Sequence, residues 1–88
     1  MSKILNDTQC RQIKAIRKKI NALGIEGWSC EGTDIPGYCA NMFFNNELEE
    51  SFIADYSGKI VSSNTKNIDW KLLEFARLEG QIATICYG

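Results

Sequence analysis

Four cysteines, Cys10, Cys30, Cys39 and Cys86, and eleven carboxylates are the side chains of this 88-residue chain best suited to chemistry, and no histidine accompanies them. Histidine is the commonest general base, so its absence removes Cys-His and Ser-His pairs. A cysteine nucleophile would have to draw its activation from a lysine, a carboxylate or a helix N-terminus. Cys10 alone has that setting, beside Arg11 and Lys14 in a basic run, and the edge of a hydrophobic core accounts for it equally well. Asp34 and Asp55 have no spacing that pairs them. Phosphate-binding loops and dinucleotide fingerprints are missing. The residue types therefore point away from catalysis, and no cofactor is expected.

Zinc sites pair their ligands a few residues apart, whereas the nearest cysteines, in CEGTDIPGYC, are separated by eight residues. No metal is expected on that spacing. The chain contains no apolar run of signal-peptide type and none long enough to span a bilayer. A cytoplasmic protein without membrane association is the expectation, and in a reducing compartment its thiols stay free. Were they oxidised, three pairings would be open, and sequence does not choose among them.

The elements that would position these groups read as one α+β domain over residues 1–88. Asn6 and Gln9 have capping-box spacing. Ile13, Ile16, Ile20 and Leu23 then recur at helical intervals up to Gly24, which predicts a helix over about residues 7–23. GIEGWSCEGTDIPG, residues 24–37, carries four glycines and the single proline and reads as a turn-rich loop with a short extended piece around Trp28 to Glu31. Three β-like runs follow, at about 38–44, 50–56 and 59–63. A two-residue Ser57-Gly58 turn would set Ala54 opposite Val61 and place both with Phe52 and Tyr56 on the core side. WKLLEFARLE begins a last, largely buried helix over about 68–84, continuing through Gly80. The order is α-β-β-β-α, a three-stranded antiparallel sheet with helices packed on one face.

Charge is unevenly spread. Residues 1–20 hold six Lys/Arg and one acid; residues 21–88 hold four Lys/Arg and ten acids. Arg11, Lys14 and Lys18 fall on one side of the first helix, with Arg17 at the border of its isoleucine stripe. One reading is a nucleic-acid surface that tracks phosphates. The element order resembles that of double-stranded-RNA-binding domains. Such modules place lysines at the start of the last helix, where this chain has Lys71 beside Asp69, and its hairpin loop NNELEE is acidic. The alternative is a solvated face in a protein that works through other surfaces.

That alternative leads to protein binding. A three-stranded sheet covered on one side leaves the other side open, and Met42, Phe43, Phe44, Leu48, Ile53 and Ile60 cannot all point inward because strand neighbours alternate. Trp28 in a glycine-flanked loop and Tyr38 after Pro36-Gly37 are the aromatics least claimed by the core, although Trp28 would also serve as a plug beneath the first helix. The expected partner surface combines Trp28, Tyr38 and Phe43 with the acidic hairpin residues Glu47, Glu49 and Glu50. The expected function is a small non-catalytic inhibitor, adaptor or regulator that occupies a surface of a larger protein or complex. Its size is that of phage or mobile-element proteins that block a host or defence complex. Nucleic-acid regulation through Arg11, Lys14, Arg17 and Lys18 is the alternative.

Overall fold

The computed structural model describes residues 4–35 and 38–87, without the side chains of Asp34, Ile35 and Tyr38. Its elements follow in the order α1 (Asp7–Ala22), β1 (Ser29–Ile35), β2 (Tyr38–Asn45), β3 (Glu50–Asp55), β4 (Ile60–Asn64) and α2 (Trp70–Tyr87). The strands make one antiparallel sheet, each paired with the next in sequence. The architecture is α+β, with four strands in place of the expected three.

The additional strand is β1, which falls inside the stretch read as a loop. SCEGTDI lacks the apolar alternation of a half-buried strand because β1 is an edge strand, and among its described side chains Cys30 is the apolar one packed on the core. Pairing with β2, from Ser29 opposite Phe44 to Ile35 opposite Tyr38, holds it in place through the backbone.

α1 begins at a formed capping box. The Asn6 side chain accepts from the Gln9 amide at 2.8 Å, and the Gln9 side chain accepts from the Asn6 amide at 3.0 Å. Two otherwise unsatisfied donors are thereby used. α2 starts on Asp69, whose carboxylate accepts from the Leu72 amide at 3.0 Å. α2 then runs unbroken through Gly80.

The β3–β4 hairpin has a three-residue loop, not the expected two. Asp55 pairs with Lys59 through its amide at 2.9 Å, and Gly58 adopts a left-handed φ of 91°. That glycine is what a three-residue hairpin asks for. The Asp55 carboxylate stabilises the loop by accepting from the amides of Ser57 and Lys59 and from the Ser57 hydroxyl. The extra loop residue moves the register by one, so Ile60 opposes Ala54 and Val61 falls at the bulge between Ile53 and Ala54. Ile60 packs against the core in the role expected of Val61.

α2 lies across β2 and β3, and α1 lies mainly against α2. Phe43, Phe52 and Ala54 of the sheet meet Leu72, Phe75 and Ala76 of α2 in one cluster, while Ile16 of α1 meets Leu78 and Ile82 of α2 in a second. Phe43 is stacked on Phe52 with ring centres 4.9 Å apart and takes Phe75 edge-on at 5.1 Å. Both are favoured aromatic arrangements.

Candidate functional site

The alternation of strand side chains divides the sheet into two faces. Phe43, Phe52 and Ala54 point toward the helices. The neighbouring positions point away from them: Met42 and Phe44 on β2, and Ile53 on β3. Register places Met42 directly beside Ile53, with Glu31 on one flank and Ser62 on the other, and sets Phe44 between Ser29 and Ser51. Met42, Phe44 and Ile53 are half-buried, with no helix over them, and Ala40 of the same face is fully buried. The result is an apolar centre with a hydroxyl and carboxylate border.

The β2–β3 turn lies at the Phe44 end of this face. The Asn45 side chain accepts from the Leu48 amide at 3.1 Å, and Glu49 takes a left-handed φ of 55°. Leu48 at its tip is 58% exposed. Glu47 and Glu49 are exposed. Glu50 is committed within the molecule: its carboxylate accepts from the Thr65 hydroxyl and from the Lys66 amide at 3.3 Å.

Two aromatics expected at the partner surface belong to the core. Phe43 is fully buried, because its strand position faces the helices. Trp28 packs on the core cluster, its ring centred 5.5 Å from that of Phe52. It is the plug of the two roles considered for it, carried under the sheet's inner face by the approach to β1. The Tyr38 side chain lies outside the described residues, as does that of Asp34. The sequence already marked Met42, Phe44 and Ile53 as strand residues competing for one interior, but only the register separates them from Phe43 and Ile60.

On α1, Arg11, Lys14 and Lys18 are exposed. Arg17 approaches Glu79 of α2 at 3.9 Å, with the arginine largely in solvent and the glutamate side chain 15% exposed. Such a rim pair contributes modestly, about 1 kcal/mol at most. Glu79 also accepts from the Cys30 thiol. Burial pushes that thiol well above its ordinary pKa, and the Glu79 charge adds to the effect. Cys30 is therefore poorly suited to act as a nucleophile.

All four cysteines are free, with Cys10 and Cys39 exposed. Among the described residues no group of three or more His, Cys, Asp or Glu is arranged to hold a metal ion, and no helix is long and apolar enough to cross a membrane. The chain matches no family model, and neither a curated protein nor a solved structure matches it.

Proposed function

We propose that this chain is a non-catalytic protein-binding module, an inhibitor, adaptor or regulator that docks through the helix-free face of its sheet. The observation that carries the reading is the lateral row Glu31, Met42, Ile53 and Ser62, with Phe44 one row away. Apolar side chains aligned on an uncovered face favour contact with another protein. Glu31 in the row and Glu47 and Glu49 in the turn complement a partner whose surface is apolar at its centre and basic at its rim.

The test compares tagged wild type with two variants in cross-linked extracts of the native host, each with and without nuclease treatment. Met42→Lys places a cation at the centre of the face. Lys14→Ala/Lys18→Ala removes the helix charge and leaves the sheet untouched. A specific protein retained by wild type and by the lysine variant, but lost from folded Met42→Lys, is the expected result. Retention by Met42→Lys, or recovery of nucleic acid that depends on Lys14 and Lys18, overturns the reading.

A further inference from the structure

A pocket of about 200 Å³ lies on the opposite, helix-facing side, between β1, β2 and the C-terminal half of α2. Gly32, which stands directly across from Asn41, is one of its lining residues. A Cβ at Gly32 would meet nothing within 4 Å, and its backbone does not require glycine. Glycine weakens a strand by roughly 0.5–1 kcal/mol relative to alanine, and in strands it often marks close approach by a ligand. Here the missing side chain leaves a space open that a larger residue would fill.

Asn41 supplies the second observation. It is 6% exposed, and its side chain makes no hydrogen bond among the described residues. Polar side chains buried to this degree are nearly always hydrogen-bonded, to protein or to water. No sealed side-chain nitrogen or oxygen lacks a partner among the described residues, so the Asn41 amide opens into the pocket. The Glu79 carboxylate and the Arg17 guanidinium, 3.9 Å apart, line the same space, and Ile82 and Ala83 form an apolar wall.

We propose that this pocket binds a small zwitterion, an α-amino acid or an amino carboxylate of similar size. The ligand ammonium is held by Glu79, which accepts one thiol hydrogen bond and has lone pairs to spare. The ligand carboxylate is held by the Asn41 amide and by Arg17, whose planar fork suits it. A simple anion would meet Glu79, and a simple cation would leave Asn41 and Arg17 unmatched. The volume lies below the roughly 300–1,000 Å³ of pockets for drug-sized ligands, so nucleotides are too large. Of the residues named for the helix-free face this pocket shares Glu31, at the edge strand; Met42, Phe44 and Ile53 lie on the other side of the sheet, so each site can fail without the other.

The test titrates each of the twenty common amino acids, with acetate and methylamine as half-ligands, into isotope-labelled full-length protein followed by NMR. At least one amino acid should give saturable shifts at Gly32, the Asn41 side-chain amide and Cys86, about tenfold or more tighter than either half-ligand. Gly32→Val, whose Cβ meets open space, should abolish the shifts at the Asn41 side-chain amide and Cys86 while the rest of the spectrum stays folded. The proposal is overturned if no amino acid shifts these signals by about 10 mM, if a half-ligand binds as tightly, or if Gly32→Val binds like wild type.

Discussion

Gly80 of α2 rests directly on the backbone of Tyr56, so closely that a Cβ on Gly80 would fall 2.7 Å from the Tyr56 carbonyl carbon and 3.0 Å from its Cα. The helix is seated on the β3–β4 turn by a residue that is usually unfavourable in helices. The close approach explains why glycine is tolerated in mid-helix. Gly80→Ala should gain helix propensity and still destabilise the protein by about 1–3 kcal/mol or more, because backbone has to move. Urea denaturation will show the midpoint falling; a midpoint at or above wild type would mean that the contact is not tight.

Core aromatics set the next expectation. Phe43→Ala should cost about 3–5 kcal/mol, the usual range for removing a fully buried ring. Trp28→Ala should cost less, since Trp28 is only half-buried, but it should still lower the melting temperature. If Trp28→Ala left stability unchanged and abolished partner capture, Trp28 would be a surface anchor after all.

Thiol reactivity should divide the cysteines. Cys10 and Cys39 are exposed, and Cys30 is held protonated by burial and by Glu79. In native protein at mildly alkaline pH, a thiol reagent should modify Cys10 and Cys39 first and Cys30 last, with peptide mapping as the readout. Because the folded thiol has the raised pKa, its contribution to stability is intact below its ordinary value of 9.0 and declines as pH rises above it. Cys30→Ala should flatten that alkaline decline.

Asp55 makes the opposite prediction at low pH. The Ser57 hydroxyl bond, followed by the Lys59 and Ser57 amides, lowers its pKa below the ordinary 3.8. A depressed folded-state pKa gives stability that is present above the ordinary value and lost as pH falls through the folded one. Asp55→Ala should therefore lose stability at neutral pH and show a shallower acid limb in denaturation midpoints from about pH 5 downward. Parallel acid limbs for the two proteins would remove the turn carboxylate from the account.

Much of this architecture could be read from residue pattern, and the failures have physical causes. The isoleucine stripe and the Asn6–Gln9 spacing announce α1 because local geometry decides both. β1 was hidden because SCEGTDI carries almost no apolar alternation, Cys30 being its inward apolar side chain among the described ones, and Gly32 reads as a breaker until its pocket is seen. Phe43 and Phe44 are adjacent and chemically identical, so only register tells the core ring from the outer one. Trp28 was ambiguous for the same reason: its loop gave no periodicity, and its place was fixed by contact with Phe52, distant in sequence. Asn41 and Glu79 look like ordinary polar positions, and their convergence is a tertiary fact.

The way α1 is attached has a dynamic consequence. Only its C-terminal end, at Ile20 and Leu23, reaches the cluster shared with the sheet, and the remainder leans on α2 through Ile13 and Ile16. The first two turns can therefore peel away without disturbing the sheet. Their amide hydrogens should trade with deuterium well before those of β2 and β3, making the basic helix the part of the molecule that opens first.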